Sequence, residues 1–289
     1  MIQHQVGIFN NISIHDYHKS PGISNSGISL ILDMPARYHY EYILKKQISI
    51  DNLEEEFSPE KEKETTAKLI GSMVHCLVLE PEKFDSIFAL KPKIDGRTNE
   101  GKAANASFFA FAQGKIIITT PAPYYKALAI AESVKKNKIF QKILSLGNYK
   151  IENSLFWTDN DYNVQIRSRP DFFNNEFIVD LKTTNDASEK AFEKSIYEYG
   201  YHRQAAIGID GFEAISQPKK HFCILAVETK APYFTNFFRI KNEAIEQGRE
   251  EYKDGLRIYD TCLTTDIWPA YPEIITDIGL PTWAQKRVS

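Results

Sequence analysis

At residue 149 the chain changes its period. Upstream, apolar residues recur at helical spacing. Leu30, Ile31, Met34, Tyr38 and Tyr42 do so within 22–46, after a loop, and Leu69, Ile70, Met73, Val74, Leu77 and Val78 do so within 67–84. A polar, glycine-containing loop begins at 93 and leads into a further helix, and another helix covers 121–146 after Pro121 or Pro123. Downstream, "KIENSLFW" (150–157) and "VQIRSRPDF" (164–172) flank the turn-rich "TDNDYN", and "EFIVDLKTT" (176–184) is the next strand. A helix over 187–208, a central strand "HFCILAVETK" (221–230), its hairpin partner "YFTNFFRI" (233–240) and a charged amphipathic helix over 241–260 follow. This order predicts a mixed α/β domain, with helices on both sides of a central sheet.

The 289 residues are read as one domain, 1–289. Residues 47–66 are rich in charge and poor in apolar side chains, which predicts an exposed, mobile connection, and 241–289 form a C-terminal helix plus tail. No apolar run approaches the roughly 18–20 residues that span a bilayer, so no membrane partner is expected. The N-terminus lacks the basic-then-apolar pattern of a signal peptide. Cys76, Cys223 and Cys262 are too dispersed for a Cys-x-x-Cys motif, which suits a reduced, cytoplasmic setting. The net charge of −3 is mild evidence against a nucleic-acid substrate, although positive charge can be local.

The stretch "RSRPDFFNNEFIVDLKTT" (167–184) carries the sharpest chemical pattern. In a strand, Asp180 and Lys182 share one face while Val179 and Leu181 share the other. A tight turn at Asn174-Asn175 would set residue 171 opposite 178, making Asp171 and Asp180 diagonal neighbours roughly 7–8 Å apart at Cα. Two converging carboxylates disfavour each other's ionisation, and a hard cation bound by oxygen ligands removes that penalty. The competing reading is a hairpin whose charged residues face water.

Four stretches in order, "GSMVHCLVLEP", "IRSRPDF", "VDLKTT" and "YGYHRQAAIGIDGF", resemble the RecE-type exonucleases, the exodeoxyribonuclease VIII family of the PD-(D/E)xK nuclease superfamily. The resemblance covers nearly the whole chain, from about residue 22 to the "LPTW" tail. It implies the restriction-endonuclease-like fold of that superfamily. It also implies metal ligands Asp171, Asp180, the backbone carbonyl of Leu181, and His75, which follows Gly71 on its helix. By the same resemblance Lys182 positions the attacking water, Tyr201 and Gln204 stand beside the site, and Glu152 orients the water or a second metal.

Each of these has a plainer alternative: His75 as a core histidine, Tyr201 and Gln204 as a solvent-facing pair, Glu152 as an exposed strand residue. Arg167 and Arg169 alternate with Asp171 and could pair with acidic neighbours or reach a phosphate. Arg97 and Lys102, in a loop with two glycines, could grip backbone phosphates or be merely solvated. Ser24 and Ser26 are capping candidates at a helix N-terminus, which is also a natural anion site.

The resemblance implies a Mg²⁺-dependent exonuclease, with Mn²⁺ able to substitute, acting 5′ to 3′ on linear double-stranded DNA and leaving 3′ single strands for recombination. It further implies a homo-oligomeric ring, a trimer or tetramer, and a single-strand annealing recombinase as partner in a phage or prophage system. Another PD-(D/E)xK endonuclease or RecB-like module, and a non-catalytic DNA-end-binding protein, are the alternatives.

Overall fold

A computed structural model describes residues 5–44 and 59–281, with only the backbone described for 59–65. The N-terminal part holds β1 (Gly7–Phe9), α1 (Ile14–Lys19), α2 (Asn25–Asp33) and α3 (Pro35–His39). Next come α4 (Pro59–Leu79), β2 (Phe88–Leu90), α5 (Asn99–Phe111), β3 (Ile116–Ile118), α6 (Pro121–Lys135) and α7 (Lys138–Ser145). The strand-rich half follows: β4 (Lys150–Ile151), β5 (Ser154–Thr158), β6 (Gln165–Ser168), β7 (Phe172–Phe173) and β8 (Phe177–Thr184). The chain closes with α8 (Glu189–Glu198), α9 (Tyr201–Ala214), β9 (His221–Glu228), β10 (Thr235–Arg239) and α10 (Asn242–Thr265).

The central sheet has the order β10-β9-β8-β7-β4, and only the β8–β9 pair is parallel. That pair needs a crossover, which α8 and α9 provide. Both faces of β8 are covered. Ile178 joins a core with α2, α9 and α10 through Ile28, Ala205, Phe212 and Leu256, while Val179 and Leu181 join a second core with Met73, Val74 and Ile130 of α4 and α6. A water-facing hairpin is therefore excluded, because Asp180 is only 2% exposed. The mixed sheet between helical layers is the architecture that the element order predicts.

Several boundaries differ from those expected. The meander does not form one sheet: β5 and β6 pair with β1, while β4 and β7 join the central sheet. Pro170, which lacks a donor, lies between β6 and β7, and Glu152, at φ +52°, lies between β4 and β5. The helix expected over 121–146 is two, because Asn137 caps α7 by accepting from the N–H groups of Ile139 and Phe140. The helix expected over 187–208 breaks at Gly200, at φ +64°. Helix α4 starts at Pro59, inside the segment expected to be an exposed connection; proline at the first turn and a Glu/Lys-rich sequence favour helix there. The remainder of that segment, 47–58, lies outside the described residues.

Helix α10 crosses α9 at Gly248, where an added Cβ would lie 2.4 Å from the backbone oxygen of His202. A Gly248→Ala substitution should cost about 1–3 kcal/mol, read as a melting temperature several degrees lower. Gly279→Ala, with no atom within 4 Å of its added Cβ, should leave the transition unmoved. Equal melting temperatures for the two variants would contradict this packing.

Candidate active site

The site assembles around β8. Phe172 pairs with Val179 and Phe173 with Ile178, so the same register carries Asp171 opposite Asp180. This is two residues away from the register that a turn at Asn174-Asn175 would give. The loop lies one residue later because Asn174 accepts through Oδ1 from the N–H groups of both Glu176 and Phe177, closing an Asx turn. A two-residue shift preserves strand parity and makes the two acids direct neighbours rather than diagonal ones.

Asp171 precedes β7, and its Oδ2 accepts from the backbone N–H of Leu181 at 2.7 Å. His75, contributed by α4, sets its Nδ1 3.5 Å from the same oxygen. Glu152 donates its backbone N–H to the Asp171 carbonyl at 3.1 Å, so the two chain breaks meet. Asp180 receives two partners: Lys182 Nζ at 2.7 Å from Oδ2, and Gln204 Nε2 donating to Oδ1 at 2.6 Å. Gln204 thus contacts the aspartate rather than the lysine or an open phosphate site. Tyr201, one turn earlier on α9, places its ring 5.0 Å from Lys182 Nζ, a cation–π contact.

The electrostatics follow from this crowding. Burial, and then the Asp180 carboxylate, hold the Asp171 carboxyl well above the ordinary range. Burial and Asp171 push Glu152 up to about 7, against the pull of Arg169. Burial and Lys182 push His75 down, so its imidazole favours the neutral form that can ligate a metal. Burial opposes the Lys182 ammonium, but Asp180 and Asp171 outweigh it and hold the group charged well above its usual range.

This donor set fits a divalent cation. Ligand atoms of His75, Glu152 and Asp171 all lie within 4.8 Å of one another. Asp180 Oδ2 is buried and its partner is the Lys182 ammonium, 2.7 Å away. Acids that resist ionisation beside a further buried carboxylate are the arrangement that a cation relieves.

The remaining expected residues separate. Ser24 caps α2 by accepting from Gly27 N–H, and its Oγ lies 2.9 Å from that of Ser26. Both serines line a cleft of about 350 Å³ that also reaches Glu152, Asp171 and Gln204. Arg169 donates to Glu152 at 2.8 Å, to Ser154 Oγ at 2.7 Å and to the carbonyl of Ile12 at 3.0 Å. Arg167 borders the same cleft; it is 3% exposed, and its Nη1 donates to the carbonyls of Tyr17, His18 and Ser20, so it anchors the end of α1. Arg97 is open to solvent and paired with Asp95, and Lys102 is exposed on the first turn of α5; no hydrogen bond or ion pair among the described residues ties either to the acidic cluster.

Sequence reasoning missed α1, whose Tyr17 lines the same cleft. Its signal was present as Ser13-x-x-Asp16, a capping pattern in which Asp16 N–H donates to Ser13 Oγ at 3.1 Å.

The model of a PDDEXK-like domain of unknown function (DUF3799) matches residues 47–278. The crystal structure of a candidate exonuclease from Eubacterium rectale superposes with a TM-score of 0.54 at 15% identity, covering 92% of this chain and 94% of that one; the likeness is one of fold. A phage-related exonuclease from Haemophilus somnus 129PT gives a TM-score of 0.32 at 13% identity, over 67% of this chain and 95% of that one. No curated protein matches the chain.

The raised Glu152 carboxyl has a measurable consequence. The folded protein holds a proton there up to about 7, whereas an ordinary glutamate releases it near 4.5. The stability from this group is complete below about 4.5 and is lost as pH rises through about 7, up to roughly 3 kcal/mol. Without metal, the melting temperature of the wild type should fall across that window, and Glu152→Gln should remove that part of the slope. Mg²⁺ at pH 8 should raise the melting temperature of the wild type more than that of Glu152→Gln. Parallel pH profiles for the two proteins would contradict the assignment.

Proposed function

The chain belongs to the PDDEXK-like family whose model spans residues 47–278, and from that premise we propose that it is a metal-dependent nuclease hydrolysing phosphodiester bonds in DNA. The observation that carries the reading is the meeting of Asp171, Asp180 and Lys182 on β8 and its neighbour, with Gln204 bound to Asp180 and Glu152 and His75 beside Asp171. A Mg²⁺ ion, or Mn²⁺ in its place, held by Asp171, Asp180, the Leu181 carbonyl and His75 with Glu152 beside it, would acidify the attacking water and steady charge on the phosphoryl oxygens.

The chain's own groups do the rest. Lys182 stays an ammonium at neutral pH, so it acts as a donor and a charge rather than as a general base. It orients the attacking water and stabilises the charge that develops on the phosphate. Gln204 fixes Asp180, and the Tyr201 ring holds Lys182 by a cation–π contact. The cleft that joins Ser24 and Ser26 to Glu152 and Asp171 offers the N–H groups at the start of α2 to a terminal phosphate.

The finer reading rests on the resemblance to RecE-type enzymes. The substrate is then the end of a linear duplex, degraded 5′ to 3′ to leave a 3′ strand, within a ring of identical subunits and beside a single-strand annealing recombinase. Arg97 and Lys102, both open to solvent, are the groups proposed to hold backbone phosphates.

Digestion of a 5′-labelled linear duplex with Mg²⁺ tests the reading. Wild type should release label, and Lys182→Ala should be slower by about 10²-fold or more. Wild type that releases no label with either metal would overturn the nuclease assignment. A covalently closed circle should survive intact; its cleavage would replace the exonuclease with an endonuclease.

A further inference from the structure

A second cleft, of about 840 Å³, opens beyond the acidic cluster. Its floor is the carboxyl end of the parallel pair β8 and β9: Thr183 and Thr184 end the first strand, and Thr229 follows the second. Thr229 N–H donates to the Thr184 carbonyl at 2.8 Å, so the two strand ends are held together there. Crevices outside the carboxyl ends of parallel strands are where α/β sheets take their ligands. The walls come from helices that cover opposite faces of the sheet, Ile70 of α4 on one side and Phe192 of α8 on the other. Thr184 lies four residues past Asp180 along β8, about 13 Å further on. The volume falls within the roughly 300–1,000 Å³ of ligand clefts, which suits nucleotides of an unpaired strand rather than a duplex.

The lining joins aromatic rings to hydroxyl groups. Tyr201, in contact with Lys182, connects this cleft to the catalytic centre, while Gln204, one turn further along α9, borders the serine cleft. The two clefts therefore flank Asp180 and Lys182. The Tyr199 ring rests against that of Tyr201, with centroids 5.7 Å apart, yet Tyr199 is 63% exposed. A ring backed by another ring and open to solvent is a platform for a base, since every base has a π-face. Thr183, Thr184 and Thr229 supply hydroxyls at the floor, suited to sugar and phosphate oxygens. Lys126 of α6 lines the cleft with no ion-pair partner among the described residues, whereas Asp186 is engaged, its Oδ1 accepting from Ser188 N–H at 2.8 Å. With these charges nearly balanced, stacking rather than net charge would supply most of the affinity.

We infer that this cleft binds the unpaired strand of the nucleic-acid substrate, on the side of the scissile phosphate opposite the serine cleft, with one base stacked on Tyr199. The inference rests on the nuclease reading and deepens it. For degradation from 5′ to 3′, the nucleotides held here are those 3′ of the cut, and they leave their complement before their phosphates reach Asp180 and Lys182.

Cleavage kinetics on a 5′-phosphorylated duplex with Mg²⁺ test this. Tyr199→Ala should raise KM about tenfold, the loss expected for one stacked base. Tyr199→Phe should restore the wild-type KM, and the melting temperatures of all three proteins should agree, since the ring is largely exposed. With a single abasic site walked along the cleaved strand, one position should raise the wild-type KM to a similar degree and add nothing in Tyr199→Ala. A merely structural role for the ring would not produce that coincidence. Fluorescence anisotropy with a labelled single strand in EDTA should show the same tenfold difference in affinity between wild type and Tyr199→Ala. An unchanged KM for Tyr199→Ala in an active enzyme would overturn this inference and leave the nuclease reading standing. An inactive wild type would overturn the nuclease reading, and the anisotropy then decides the cleft: weaker binding by Tyr199→Ala supports it and equal binding overturns it.

Discussion

The ion pair between Asp180 and Lys182 lies inside a strand that is covered on both faces. Asp180 is 2% exposed and shares its face of β8 with Ile178, which packs against α9. A lone carboxylate there would carry a desolvation cost of several kcal/mol. Lys182 supplies the opposite charge to one oxygen and Gln204 a hydrogen bond to the other. A fold that needed only stability would place apolar residues here. The proposed function gives the pair a reason, and the surrounding elements supply its partners.

Those elements approach from two sides. Helix α4 brings His75 against Asp171, and α9 brings Gln204 and Tyr201 against Asp180 and Lys182. The close approach of α9 depends on small residues. At Gly211 an added Cβ would lie 2.8 Å from Trp157, and at Gly208 it would lie 3.3 Å from Phe222. Gly200, in the left-handed region, turns the chain so that α9 starts afresh with Tyr201 in its first turn. Irregular backbone gathers at the site as well: Glu152, at positive φ, hydrogen-bonds the carbonyl of Asp171, itself outside any strand. Side chains aimed by chain breaks rather than by regular strand geometry are common at functional positions.

Much of this was legible in the sequence because it depends on period and parity. The alternation in "FIVDLKTT" places Asp180 and Lys182 on one face whatever the register, and an even shift of the hairpin keeps Asp171 on that face too. The three-residue spacing of Tyr201 and Gln204 puts them on one side of any helix. The Asx turn at Asn174 was harder to foresee, since Asn174-Asn175 reads equally well as a two-residue hairpin loop. The partners of the arginines were not legible at all. Arg167 and Arg169 alternate as if for a common role, yet one binds carbonyls of α1 and the other binds Glu152.

The sequence by itself determined the element order and the shared face of the two acids and the lysine, because each follows from local spacing along the chain, and its motifs pointed to the PD-(D/E)xK superfamily. Only the tertiary structure decided that Gln204 holds Asp180, that Glu152 and His75 meet Asp171, and that Arg167 faces inward to the N-terminal arm. Those contacts join residues tens to more than a hundred positions apart, and their geometry is set by how two helices and a broken meander pack around one buried strand.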